Sequence, residues 1–242
     1  MSPITDYVAV IRDEAAEMLG ALTDSDISAA LPSRPGQTIA DALVELAAVY
    51  DWTSDILTTG HNGHPEEREV NPTSAVADFR TSELRLLRTF AEHPAASPAW
   101  SWSPVSDKAI FWYRRCAVIT ALARWDVQMA EGTTAPLEQA IAVATIEEAL
   151  DSFLPTGRGL HPHPHGEGLV QLFAQDADRS WFGRFHGGTI AILSEEPRHD
   201  SSLQARVAGS ASDLALALHG RLPFGITDCI GDEKLLQNLR VE

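Results

Sequence analysis

The period of the apolar residues changes once along this chain, near residue 154, and that change limits the folds open to it. Before it, apolar positions recur in steps of three and four: Val8, Ile11, Ala15, Met18 and Leu22 lie on one face of a helix over 6–22. Pro32 and Pro35-Gly36 interrupt, and Thr38 with Asp41 three residues on forms a capping-box pattern opening a second helix to about 57. Its inward residues are Ile39, Leu43, Leu46 and either Val49 or Tyr50. Residues 61–71 make a polar loop, and 73–93 predict a third helix with Phe79, Leu86 and Phe90 inward. A loop over 94–104 leads to a fourth helix over 107–131, ended by Gly132, and a fifth over 136–153, stopped by Pro155. After the change, 169–174, 180–186, 189–193 and 203–208 alternate or cluster as strands, with Gly187-Gly188 as a hairpin turn. Helices over 212–219 and 232–239 follow. The fold class is therefore α plus α+β: a four-helix bundle over 1–154, a Gly/Pro/His linker over 155–168, and a small α+β domain over 169–242.

Charge narrows the function. The 242 residues carry a net charge of −16, and residues 1–154 hold 23 acidic against 10 basic side chains. Such a surface repels phosphate backbones and anionic lipid, so neither nucleic acid nor membrane is an expected partner. No apolar run is long enough to span a bilayer, and the first residues lack a signal-peptide pattern, so the expected location is cytoplasmic. Cys116 and Cys229, far apart and outside any CxxC pair, are expected as packed thiols. A monomer or weak homodimer is expected.

A bundle builds catalytic metal sites from inward His and Glu side chains at i, i+3 or i, i+4. None of the nine histidines falls in the interior of a bundle helix. His161, His163 and His165 alternate with prolines, so an extended path would let three imidazoles converge on a metal; the competing reading is a rigid linker. No GxSxG, phosphate-binding or dinucleotide-binding glycine motif occurs in a fitting context. The acidic pairs Glu66-Glu67 and Glu195-Glu196 read as solvated loop charges.

The segment Pro35-Gly36-Gln37-Thr38-Ile39-Ala40-Asp41-Ala42-Leu43-Val44-Glu45-Leu46 resembles the PGWT-x-x-DLVxHL stretch of the mycothiol-dependent maleylpyruvate isomerase family, a DinB-like bundle. Trp52 falls where that family usually has a Trp. The run from Trp112 through Arg115, Ile119 and Ala123 to Asp126 is similar to the family's WxxRxAHETAxHRxD pattern. Gly209-Ser210-Ala211-Ser212-Asp213-Leu214, Gly220-Arg221 and Gly231-Asp232 resemble its appended C-terminal domain.

The resemblance implies a divalent metal, commonly zinc, on one His of the second helix and a Glu and a His four apart on the fourth. At those positions stand Glu45, Ile119 and Ala123. Two are hydrocarbon, so the expectation is a degenerate site without metal. No cofactor follows from the residues, and mycothiol is implied by the resemblance alone.

Three readings stay open. In the first, the vacated pocket binds a small organic acid or thiol conjugate without metal, as an isomerase or thiol transferase. Glu45, partly buried, would act as acid/base, Arg115 would clamp an anion, and Trp52, Trp112 and Asp126 would complete the ligand site. In the second, the protein binds or regulates without catalysis, Arg115 and Asp126 forming a structural ion pair and the aromatics, Tyr113 included, filling the bundle. In the third, a mycothiol-using enzyme has rebuilt its metal ligands from Glu45, Asp126 or the His-rich linker.

Overall fold

The computed structural model describes residues 6–22, 26–60, 62–161, 164–197 and 202–241. They form two compact units. Of the described residues, the first holds those up to Ser101 together with Ser106–Leu137; the second holds Trp102–Val105 and those from Glu138 onward.

The first unit is the helical bundle: α1 (Tyr7–Gly20), α2 (Ile39–Thr59), α3 (Ala75–Glu92) and α4 (Ile110–Ala130). α1 starts where Asp6 accepts the Ala9 N–H at 3.0 Å. α2 starts on the capping box visible in the sequence: Asp41 N–H donates to Thr38 Oγ1 at 3.2 Å, and Thr38 N–H donates back to Asp41 Oδ2 at 2.7 Å. It ends at Gly60, whose φ of 71° closes the last turn. α2 packs on α3 and α4, and α1 packs on α4. α4 is therefore covered along most of its circumference, from Phe111 to Gln128.

Two buried polar groups hold this core in register. Tyr50 Oη and Thr120 Oγ1 lie 2.5 Å apart between α2 and α4, and burial pushes the Tyr50 hydroxyl well above its ordinary pKa. Arg124 lies almost wholly buried and donates to Glu14 of α1 at 2.7 Å, to Gln128 at 2.8 Å and to the Ala135 carbonyl at 2.7 Å.

The fifth helix, α5 (Gln139–Glu148), belongs to the second unit and packs on α6 (Ala211–Leu218), so the observed division falls between Leu137 and Glu138 rather than at 154. The physical reason is that α5 is buried on nearly every side, Ile141 through Ile146. A helix apolar all round has no preferred face, and periodicity cannot name its partner. Residues expected as a free linker are also tied in: Leu160 N–H donates to the Arg240 carbonyl at 2.8 Å, and Asn238 Nδ2 donates to the His165 carbonyl at 2.7 Å.

The rest of the second unit is a five-stranded mixed sheet of order β3-β2-β1-β4-β5. The strands are β1 (Gly168–Ala174), β2 (Arg179–His186), β3 (Thr189–Leu193), β4 (Leu203–Gly209) and β5 (Asp228–Gly231), and α7 (Glu233–Gln237) follows. β1 and β4 run parallel; every other pairing is antiparallel. Gly187 and Gly188, with φ of 58° and 75°, make the β2–β3 turn that the sequence signals. α6 covers the face bearing Val170, Leu172 and Val207. The edge strand β5 has no counterpart in the sequence reading. Both cysteines are free thiols, Cys116 buried and Cys229 partly so.

Candidate functional site

The turn before α2 ties α2 and α4 together through adjacent polar side chains. Leu31 N–H donates to the Gln37 carbonyl at 2.9 Å, and Gly36, with φ of 88°, lets the chain reverse between them. Adjacent side chains then reach different helices. Ser33 Oγ donates to Asp126 Oδ1 of α4 at 2.7 Å, while Arg34 Nη2 donates to Glu45 Oε2 of α2 at 2.6 Å. Gln37 Nε2 donates to the other Glu45 oxygen at 2.7 Å. Both Glu45 oxygens are thus occupied by donors from one turn.

Glu45 lines an open groove of about 540 Å³ between α2 and the segment around Pro65. Val44, Ala48 and Val70 supply apolar walls, and Asp41, Glu66 and Glu67 join Glu45 as carboxylates. The groove's guanidinium, Arg68, is already bound to Asp51 at 2.8 Å. Asp51 also accepts from Ser82 at 2.7 Å and from Arg85 at 3.1 Å. Burial opposes its ionisation, but these hydrogen bonds outweigh it and hold the carboxyl below its usual range.

The expected site does not assemble in one place. The Glu45 side chain is 49% exposed, with Arg34 on one oxygen and Gln37 on the other. Trp112 is fully buried, its Nε1 donating to the Trp100 carbonyl at 2.7 Å, and it meets Trp52 edge-to-face at 5.0 Å. Trp112 and Asp126 both lie on α4, separated by about 21 Å at 1.5 Å per residue. The set therefore divides into an aromatic cluster near one end of α4 and the Ser33–Arg34 turn near the other. Arg115, half-buried, and Asp126, fully buried, lie about 16 Å apart along the same helix, which rules out the structural ion pair between them. Tyr113 donates to the Phe90 carbonyl at 2.5 Å and stacks on Phe90, as a core aromatic.

The positions implied for a metal do not fit one. The Ile119 and Ala123 side chains offer no donor atoms, and each oxygen of the Glu45 carboxylate already accepts a hydrogen bond, from Arg34 or Gln37. Among the described residues, no group of three or more His, Cys, Asp or Glu side chains is placed to hold a metal ion. His161 and His165 are exposed; His61, His163 and His199 lie outside the described residues, so convergence of the His-rich run is not visible.

Sequence reasoning missed Ser33, Arg34, Gln37 and Arg68. Arg34, directly before Pro35-Gly36, was within reach as a signal, because a residue flanking a tight turn beside a helix start can fold back over the first turns. Glu66 and Glu67, taken as solvated charges, are exposed as expected but line the groove.

Comparison with known proteins gives a consistent picture. The family model described as the mycothiol maleylpyruvate isomerase N-terminal domain matches residues 8–128, and that described as the MDMPI C-terminal domain matches 140–238. Among solved structures, the chain is similar to a histidine-to-alanine mutant of the mycothiol-dependent maleylpyruvate isomerase, at 14% identity and a TM-score of 0.61 over 92% of this chain and 91% of that one. The crystal structure of the isomerase itself matches at 13% identity and a TM-score of 0.60, over 89% and 88%. At these identities the likeness is one of fold. No curated protein matches the chain.

Proposed function

From the premise that this chain belongs to the mycothiol-dependent maleylpyruvate isomerase family, with both of that family's domains, we propose that it binds a small thiol conjugate without the family's metal. The observation that supports this is the pairing of both Glu45 oxygens with Arg34 and Gln37. A guanidinium and an amide supply the positive partners a cation would otherwise provide, and the two remaining positions, Ile119 and Ala123, are hydrocarbon.

The groove beside Glu45 favours a neutral ligand. Among the described residues four carboxylates border it and its one arginine is engaged by Asp51, so a dicarboxylate would enter against repulsion. A thiol conjugate with hydroxyl or amide groups meets no such penalty, since those groups can donate to Glu66 and Glu67 while its apolar part lies on Val44 and Ala48. Mycothiol is the first candidate, because the related isomerase is described as dependent on it. Glu45 then serves as a fixed acceptor, and the Arg34–Gln37 clamp fixes its orientation.

Binding without catalysis has an observation in its favour: one turn ties Glu45 and Asp126 together through Arg34 and Ser33, while the Trp52–Trp112 pair sits about 21 Å along α4 from Asp126, so the expected site residues are spread along the helix.

Two measurements on the untagged protein test the proposal. Elemental analysis is expected to find zinc well below one equivalent per chain. A thermal-shift panel of thiols and carboxylates is expected to respond to mycothiol or a close analogue and not to maleate, with the response lost in Glu45→Gln. Stoichiometric zinc that survives replacement of His161, His163 and His165 would overturn the metal-free reading. A maleate response with none from thiols would overturn the ligand class.

A further inference from the structure

At one end of β1, β2 and β4 the second unit opens a cleft of about 660 Å³, lined by Glu167, Leu169, Arg184, His186, Ser202 and Gln204. Its shape starts from a break in register. Leu169 pairs with Leu203 and Val170 with Ala205, which leaves Gln204 as an extra residue in β4. A bulge of this kind turns a side chain out of the regular alternation.

Two glycines make room for it. A Cβ on Gly168 would lie 2.4 Å from Gln204 Oε1, and a Cβ on Gly231 would lie 2.1 Å from the Gln204 carbonyl oxygen. Both glycines have positive φ, 133° and 91°, a region where other residues are strained. The Gln204 amide is set firmly: Oε1 accepts the Leu169 N–H at 2.6 Å, and Nε2 donates to Ser202 Oγ at 3.2 Å.

The charges around it are unequally committed. Glu167 Oε1 accepts the Gly187 N–H at 2.9 Å, and Oε2 meets His186 Nδ1 at 2.8 Å. Arg184, two residues before His186 on β2, is exposed, and its side chain makes no hydrogen bond or ion pair among the described residues. Among the described residues the carboxylate is satisfied and the guanidinium is not, so the cleft offers donors in excess. Residues 155–242 also carry 11 acidic against 8 basic side chains, far closer to balance than the bundle. An anion meets less repulsion here than along α2.

We propose that this cleft binds a small carboxylate-bearing molecule, with the Arg184 guanidinium taking the carboxylate as a fork while Ser202, Gln204 and His186 Nε2 contact the polar remainder above Leu169. The site is independent of the α2 groove and of the function proposed for it.

The test is a titration of the full-length, ¹⁵N-labelled protein with succinate, following arginine Nε–H and glutamine side-chain signals by NMR. A saturable shift of Arg184 and Gln204 is expected, weakened at least about tenfold in Arg184→Ala and partly restored in Arg184→Lys, which keeps the charge and loses the fork. Arg12→Ala, a change to an exposed guanidinium on α1, is expected to leave the titration unchanged. Because Arg184 is exposed, its variants keep the wild-type melting temperature, so a lost response reports on binding. Shifts that do not saturate, equal affinity in Arg184→Ala, or phosphate binding as tightly as succinate would each overturn the proposal. A succinate response lost in Glu45→Gln but kept in Arg184→Ala would assign the anion to the α2 groove, and this inference would fail while leaving the thiol-conjugate reading to its own test.

Discussion

At the scale of single residues, neighbours decide what a charged side chain can do. Arg124 is legible in the sequence only as a basic residue on the fourth helix, yet the structure buries it against Glu14 and two carbonyls. Removing one member of such a pair strands the other in a poorly solvated place, at a cost of about 3–5 kcal/mol. Arg124→Met is therefore expected to lower the unfolding free energy by about that much in urea titrations. A loss under about 1 kcal/mol would mean the pair contributes no more than an exposed one. Asp51 makes a pH-dependent prediction. Its folded pKa is depressed, so its contribution is present above the unfolded carboxyl value, about 4, and is lost as pH falls through the folded value. Asp51→Asn is expected to be less stable than the parent at neutral pH and to converge with it in acid. Parallel stability curves down to low pH would show that Asp51 carries no such linkage. Glu45 illustrates why residue roles escape a sequence: its donors, Arg34 and Gln37, are placed by a turn whose path only the folded backbone defines.

At the scale of elements, local chemistry was the most readable signal. The Thr38–Asp41 capping box and the Gly187-Gly188 hairpin appear as their residue types require, because both depend on contacts within a few positions. Thr38→Ala should cost about 1 kcal/mol, measured as a shift in the denaturation midpoint, since it frees the Asp41 N–H at the start of α2. The bulge at Gln204 depends on Gly231, whose backbone meets the neighbouring carbonyl too closely for any side chain. Gly231→Ala is expected to destabilise the second unit by about 2 kcal/mol and to broaden the NMR signals of β4 and β5. Unchanged spectra and stability would mean the strands part without cost. β5 itself was unreadable in advance: four residues with exposed Ile230 carry no alternation, and their strand character comes from pairing with β4.

At the scale of the whole molecule, the allocation of α5 separates the two units. Hydrogen exchange is expected to show the α5 amides opening with α6 and the sheet rather than with α4, because cooperative units follow packing and not chain order. Exchange of α5 in step with α4 would restore the boundary near 154. The sequence by itself determined the two kinds of architecture, the helix and hairpin signals and the acidity, because each of these is fixed by residue type and short-range spacing. Only the tertiary structure decided that Glu45 is exposed and clamped, that Ser33 of the turn before α2 reaches Asp126 of α4, and that α5 joins the sheet unit. Those outcomes depend on which surfaces meet across many residues of chain, and a helix apolar on all sides, or a carboxylate with several possible donors, leaves that choice open until the chain has folded.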